Sequence, residues 1–281
     1  FQWIRRLDLQ VASQTVGNLI GLLLLIFVVY VLPKSHLSGE QAIVILALSS
    51  FITALFSLRL IRLRGVETRV QINIELWKKI MFQSGLLGFA LVCNNFYMRM
   101  GIFSLNSSHT SIEVGEYGLA FKFFEFAIAL PTFIMNSVYP ELLQLQLKKG
   151  RFFSARIKQL CSYLFIFSLI TTAGVWVFAG TLPFIRIDFL ASVAILRMLA
   201  ILIPVFFMTS PLIWLFVMRR QQKFLVMIYF VASVGSLLLN NFLVYLWGVL
   251  GAVVALGSTE LFVCCIGWYW VYNQRDYVQK T

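Results

Sequence analysis

The stretch QLCSYLFIFSLITTAGVWVFAG, residues 159–180, contains no acidic or basic residue. A helix of this length rises about 33 Å at ~1.5 Å per residue, which matches a membrane hydrocarbon core of roughly 30 Å. Seven further apolar runs of comparable length occur along the chain, at about 11–32, 42–58, 80–103, 115–140, 191–217, 224–244 and 250–272. The sequence therefore predicts an all-α, polytopic membrane protein with eight transmembrane helices.

The basic residues are distributed unevenly between the two ends of these runs. Of the 23 Lys and Arg residues, all but five fall on one side of the predicted membrane. Only Lys34 and Arg186 fall on the other side, and Arg99, Lys122 and Arg197 lie inside the runs. Because Lys and Arg accumulate in cytoplasmic segments, we expect a multi-pass protein of the cell inner (plasma) membrane with both termini of this chain in the cytoplasm.

The composition excludes a soluble domain of this length. Hydrophobic residues make up 60% of the chain, charged residues 12%, and the mean hydropathy is +0.87. The net charge of +12 is spread over short segments between apolar runs, so it favours contact with anionic lipid headgroups and not with nucleic acid. The four cysteines all fall inside apolar runs, which predicts packing residues without a disulfide framework, cofactor or metal site.

Three charged residues fall near the middle of the predicted membrane. A charge at that depth costs roughly 2.5–3.5 kcal/mol on insertion scales, so it usually faces a partner or a wet cavity. Lys122 and Glu125 are three residues apart on one helix face, where they form either a self-neutralising ion pair or part of a cavity wall. Glu260 has no cation one turn away, so we expect it to be protonated, hydrated, or paired with Lys122 or Arg197.

Arg99 and Arg197 lie closer to the outer ends of their runs, where a long side chain can extend to the interface. For Arg197 we favour this extension or a structural hydrogen bond. Arg99 shares a helical stripe with Asn95 in the polar segment NNFYMRM, which favours a wet face. Prolines at positions 131, 140, 204 and 211 predict kinks in the fourth and sixth runs.

No enzymatic motif is present in the sequence. His36 and His109 are far apart, and no HExxH, GxSxG or P-loop pattern occurs. A membrane transferase using His109 with Glu113 or Glu116 is the alternative, but both glutamates suit the positive N-terminus of the following helix. We therefore expect a protein that is not an enzyme and has no catalytic residues.

Two segments resemble a known family. EVGEYGLAFKFFEFAIALPTFIMNSVYPELL (Glu113–Leu143) and LNNFLVYLWGVLGAVVALGSTELF (Leu239–Phe262) are similar to oligosaccharide and O-antigen flippases of the multidrug/oligosaccharidyl-lipid/polysaccharide exporter superfamily. The matching positions include Lys122, Glu125 and Glu260. Fainter likenesses at RRLDLQVASQTVGNLIGLLLL and SVAILRMLA suit the fifth and tenth helices of that family.

The resemblance implies that the chain carries helices five to twelve of a two-lobe, twelve-helix transporter and is an N-terminally truncated member. Residues 1–70 would be the last two helices of the N-terminal lobe plus a cytoplasmic inter-lobe linker, and residues 71–281 the six-helix C-terminal lobe. The basic, weakly apolar stretch from Arg59 to Lys79 itself predicts an exposed cytoplasmic linker at this boundary. The activity that the resemblance implies is export of an undecaprenyl-pyrophosphate-linked oligosaccharide for cell-envelope polysaccharides such as lipopolysaccharide. Transport would proceed by alternating access, with H⁺ or Na⁺ as a coupling ion.

The expected substrate cavity is lined by intramembrane polar residues. These are Asn95, Arg99, Lys122, Glu125 and Glu260. Many relatives carry Asp where this chain has Tyr97 to Arg99, which favours an anion contact there over cation-coupled antiport. The alternatives are a drug or cation antiporter of the same superfamily, and a membrane-embedded glycan polymerase or ligase.

Overall fold

The computed structural model describes residues 7–31, 39–63, 74–108, 110–147, 151–182 and 190–273. Within these ranges the chain forms α-helices and no strand, so the predicted all-α class is confirmed. The helices are α1 (Leu7–Val31), α2 (Gly39–Leu63), α3 (Ile74–Ser108), α4 (Ser111–Leu147), α5 (Arg151–Ala179), α6 (Leu190–Ala200), α7 (Ile203–Met218) and α8 (Gln222–Asn273).

Several of these helices are long and apolar enough to cross a membrane. Among the described residues, four pass this test: 84–108, 111–146, 155–179 and 222–273. A fifth is formed by α6 and α7 together, which are bent by 53° at the break between them. The chain is therefore a multi-pass membrane protein. In α1 and α2 the apolar stretches are shorter, Thr15–Val28 and Ala47–Arg59.

The chain divides into two compact units, Phe1–Ile74 and Glu75–Thr281. In the first unit, α1 and α2 form an antiparallel pair in contact through small residues. Ser49 Oγ donates a hydrogen bond of 2.8 Å to the Gly17 carbonyl, and a side chain at Gly17 would collide with Thr53. The segment GNLIG (17–21) thus lets the two backbones approach closely, as small residues four apart do in membrane helix pairs.

In the second unit, α7 packs against α4, α5 and α8. Its side chains Phe207, Leu215 and Phe216 are fully buried. Phe206 packs edge-on against Phe124 of α4, with ring centroids 5.2 Å apart. Because these rings hold α4 against α7, they fix the helix that carries Lys122 and Glu125.

The long helix α8 is two arms joined at Gly248. Gly248 has φ 55° and ψ −128°, which a helix does not allow. Ser236, in the first arm, donates a hydrogen bond to the Tyr97 carbonyl, while Glu260, in the second arm, accepts one from the Tyr97 hydroxyl. Since both arms reach the same residue of α3 from equal distances along the chain, α8 is a hairpin. Its break falls between the predicted runs 224–244 and 250–272.

A proline in the sixth run lies at a break between two helices, whereas the prolines in the fourth run lie within a continuous helix. The break between α6 and α7 comes just before Pro204, in the first turn of α7, which accords with the predicted bend there. In contrast, α4 continues as one helix through Pro131 and Pro140.

The linker predicted from Arg59 to Lys79 is shorter in the structure. Helix α2 continues to Leu63 and α3 begins at Ile74. The first and last residues of the predicted linker, 59–63 and 74–79, are therefore helical. The helical backbone extends beyond the apolar runs from which the linker was predicted. The remainder, 64–73, lies outside the described residues, as do Lys34, His36, His109 and Arg186.

Candidate functional site

Arg99, Lys122 and Glu125 form one charged cluster between α3 and α4. Glu125 Oε1 accepts a hydrogen bond of 2.7 Å from Arg99 Nη2, and Glu125 Oε2 accepts one of 2.9 Å from Lys122 Nζ. The predicted ion pair within α4 is present, and Arg99 joins it from the neighbouring helix. Two cations share one carboxylate, so this Arg99–Glu125–Lys122 cluster carries a net charge of about +1.

All three side chains of the cluster are partly exposed at the surface of the packed helices. The side chains of Arg99, Glu125 and Lys122 are 41%, 31% and 64% exposed. At ~1.5 Å per residue, Arg99 lies roughly 14 Å from the end of α3 and Glu125 roughly 21 Å from the start of α4. Since exposed charges at such depth are unfavourable against lipid tails, this face suits a water-filled cavity.

Asn95 lies one turn before Arg99 and is exposed on the same side of α3. Its Nδ2 donates a hydrogen bond of 2.9 Å to the Leu91 carbonyl in its own helix. Exposed aromatic side chains surround this stretch: Phe96 and Phe103 on α3, and Phe126 on α4. The cluster therefore sits on a face that combines fixed cations with flat apolar rings.

Glu260 occupies a different environment. It is buried, and the structure places it among hydroxyl groups instead of beside Lys122 or Arg197. The Tyr97 hydroxyl donates a hydrogen bond of 2.7 Å to Glu260 Oε2, and Thr209 Oγ1 donates one to Glu260 Oε1. This Tyr97–Thr209–Glu260 cluster joins α3, α7 and the second arm of α8, so in this conformation Glu260 does not share the exposed face of Arg99.

Tyr97 is the residue that the sequence reasoning missed. Its hydroxyl also accepts a hydrogen bond of 2.9 Å from Asn94 Nδ2. The wet face was predicted from Asn95 and Arg99 in the segment NNFYMRM, and no separate role was predicted for Tyr97, which is fully buried while Arg99 is exposed. The signal was available: buried Ala90, Cys93, Tyr97 and Ser104 follow a helical repeat, which marks the inner face of α3.

Arg197 packs on an aromatic ring. Its guanidinium lies 4.6 Å from the centre of the Trp176 ring on α5. Such a cation–π contact stabilises a positive charge near the membrane interface. The interfacial extension or structural hydrogen bond expected for Arg197 stays a prediction beside this contact.

One of the two glutamates considered for an enzymatic role, Glu113, caps the start of α4. Glu113 Oε2 accepts a hydrogen bond of 3.3 Å from the Thr110 backbone N–H, and Thr110 Oγ1 accepts one of 3.4 Å from the Glu113 N–H. This reciprocal pair is a capping box. The predicted role of Glu113 at a helix N-terminus is confirmed. The Glu116 carbonyl accepts a hydrogen bond from Ser192 on α6.

Comparison of the chain with family models, with curated proteins and with solved structures gave no match. The resemblance to oligosaccharide flippases therefore rests on the sequence itself, chiefly on the segments Glu113–Leu143 and Leu239–Phe262.

Proposed function

We propose that the chain is part of a transporter that flips an undecaprenyl-pyrophosphate-linked oligosaccharide across the cytoplasmic membrane by alternating access. The observation that carries this proposal is the Arg99–Glu125–Lys122 cluster: exposed, net positive, and far from both helix ends. A pyrophosphate that crosses hydrocarbon needs cations at this depth to offset the loss of water. The exposed rings of Phe96, Phe103 and Phe126 supply flat apolar surface against which sugar rings can pack.

Arg99 suits the pyrophosphate better than a lysine would. A guanidinium is always charged, is weakly hydrated, and donates two parallel hydrogen bonds to phosphate oxygens. Glu125 holds one of its terminal nitrogens. It thereby fixes the orientation of the guanidinium before substrate arrives.

The proposal includes eight membrane crossings, with both termini cytoplasmic. The two arms of α8 are each about 25 residues long, enough for a core of ~30 Å. Together with α3, α4, α5 and the bent α6–α7 pair, this makes six helices in residues 75–273, as a C-terminal lobe requires. The pair α1–α2 would then be the end of an N-terminal lobe.

A drug or cation antiporter is the second candidate, and one observation favours it. Glu125 is partly exposed, and a carboxylate at mid-membrane depth can bind a cationic substrate. The two functions assign opposite roles to Glu125. A flippase uses it to hold two cations, whereas an antiporter uses it to contact the substrate.

The proposed function is tested by restoring surface glycan in cells that lack their own flippase. The chain is expressed with whatever further helices its reading frame encodes, and amounts are matched by blot. Arg99→Ala is expected to abolish flipping and Arg99→Lys to retain part of it, because lysine keeps the charge but loses the paired donors. Arg197→Gln is the control, since it also removes an intramembrane arginine. Full activity of Arg99→Ala would contradict the assignment.

A further inference from the structure

A groove lies between α4 and α5, away from the Arg99–Glu125–Lys122 cluster. Its volume is about 320 Å³, and its walls are almost entirely apolar. The wall from α4 contains Ile134 and Val138, and the wall from α5 contains Leu160, Leu164 and Phe167. The volume is at the lower end of the ~300–1,000 Å³ that small-molecule sites occupy.

The shape of the groove follows from helical spacing. Arg156, Leu160, Leu164 and Phe167 fall on one face of α5, since each is about one turn from the next. From Arg156 to Phe167 this face extends roughly 16 Å at ~1.5 Å per residue, close to half of a ~30 Å hydrocarbon core. The groove therefore has the length of one membrane leaflet, which suits a single hydrocarbon chain.

The polar end of the groove is formed by Arg156. Its Nε and Nη2 donate hydrogen bonds of 3.1 and 3.3 Å to the two carboxylate oxygens of Glu141, and its Nη1 donates one of 3.0 Å to Gln159 Oε1. A guanidinium has five N–H groups. Within the part of the chain that the structure describes, these contacts use three of them. Because the side chain is 40% exposed, the other two are available to phosphate oxygens.

The charges near this end favour an anionic headgroup. Lys158 is exposed two residues beyond Arg156, and the preceding sequence adds Lys148, Lys149 and Arg151. Basic residues beside a membrane attract acidic lipids, and one of these residues, Arg156, lines the groove itself.

We propose that the α4–α5 groove binds an anionic phospholipid, with one acyl chain between the two helices and the phosphate at Arg156. The lipid belongs to the leaflet on the side of the basic segment 148–158. The groove and the Arg99–Glu125–Lys122 cluster have no residue in common, so this inference does not depend on the proposed function. Bound lipid would wedge α4 and α5 apart at this end and fill the space that their side chains leave.

The test uses a phosphatidylglycerol with a photoactivatable group in its acyl chain. The chain is reconstituted in phosphatidylcholine nanodiscs containing a minor fraction of this probe, irradiated, and digested. Cross-links are expected on peptides that contain 134–138 and 160–167. Arg156→Gln should lower this labelling about ten-fold, the effect of losing a hydrogen bond to a charged group. Val138→Trp, which fills the groove and keeps Arg156, should lower it to a similar extent.

Lys223→Gln is the matched control, because it removes the same charge from an exposed position at the start of α8, outside the groove, and it should leave labelling unchanged. Thermal unfolding checks that each variant is folded; the exposed Arg156–Glu141 pair is not expected to affect it. The proposal would be overturned by equal labelling with a phosphatidylcholine probe, by an equal loss in Lys223→Gln, or by cross-links that map elsewhere. Displacement of the probe by an equimolar polyprenyl monophosphate, but not by unlabelled phosphatidylglycerol, would also overturn it.

Discussion

Tyr97 and Arg99 are two residues apart on α3, and they point to different sides of the helix. Tyr97 lies inside, against Glu260, while Arg99 lies outside, against Glu125. One short segment therefore serves two clusters. The inner cluster joins three helices and is closed to solvent, whereas the outer cluster remains accessible.

Removal of the Tyr97 hydroxyl should destabilise the protein. Tyr97→Phe leaves a buried carboxyl oxygen without its donor, and hydrogen bonds between membrane helices contribute about 0.6 kcal/mol on average and up to ~1.7. We expect a loss of roughly 1 kcal/mol in the free energy of unfolding, measured by denaturant titration in detergent. In a Glu260→Gln background the effect of Tyr97→Phe should change, since the two side chains interact directly.

Tyr117→Phe is the matched control. The Tyr117 hydroxyl is buried and has no hydrogen-bond partner among the described residues. Its removal should leave stability unchanged or raise it, because an unpaired buried polar group is itself unfavourable. A Tyr97→Phe variant as stable as Tyr117→Phe would mean that Glu260 does not need the hydroxyl.

The residues of the outer cluster could be predicted only in part. The Lys122–Glu125 pair follows from spacing within one helix, because residues three apart are neighbours on any α-helix. The contact of Arg99 with Glu125 depends on how α3 and α4 pack, and the sequence does not specify that packing. For Glu260 the sequence left three states open, namely protonated, hydrated, or paired with Lys122 or Arg197. Its hydroxyl partners, Tyr97 and Thr209, could not be predicted because they lie far away in the chain.

At the scale of elements, Gly248 determines the shape of α8. Its φ of 55° with ψ of −128° is accessible to glycine and strained for other residues, at about 1–3 kcal/mol. Three residues after Gly248, a side chain at Gly251 would collide with the Leu243 carbonyl, so the two arms approach each other closely at the turn.

Gly248→Ala is expected to lower the free energy of unfolding by about 1–3 kcal/mol. Gly235→Ala, within the first arm of α8, is the control. An alanine methyl there meets nothing within 4 Å, so it should be neutral or stabilising by up to ~1 kcal/mol through helix propensity. Both are measured by the same denaturant titration. Equal stability of the two variants would contradict the hairpin geometry.

The apolar runs of the sequence predicted where most helices lie, but they did not predict the residues at which the helices begin and end. Apolar runs locate the part of each helix that suits hydrocarbon. However, α3 begins at Ile74 and ends at Ser108, beyond the predicted 80–103 at both ends. Backbone hydrogen bonding continues into the interface, where polar side chains are tolerated, so hydropathy underestimates helix length. The turn at Gly248 matched the gap between two predicted runs because a glycine interrupts them.

For the whole molecule, the sequence predicts which side of the membrane each loop occupies. The packing of the helices against one another does not determine this. The uneven distribution of Lys and Arg predicts that the segment around Lys149 lies in the cytoplasm. On a cysteine-free background, Lys149→Cys should react with a membrane-impermeant maleimide only after the cells are opened. Asn106→Cys, exposed at the far end of α3, should react in intact cells. The reverse pattern would contradict the proposed topology.

Glu125→Gln distinguishes pyrophosphate binding by the Arg99–Glu125–Lys122 cluster from the binding of a cationic substrate. This change raises the net charge of the cluster from about +1 to about +2 and releases both cations. The measurement is the equilibrium binding of a polyprenyl pyrophosphate and of a cationic drug to the chain in nanodiscs, with Arg99→Ala in parallel. We predict that Glu125→Gln keeps or tightens pyrophosphate binding, while Arg99→Ala weakens it about 10- to 100-fold. Loss of pyrophosphate binding in Glu125→Gln, or tight drug binding that only this variant abolishes, would contradict the account.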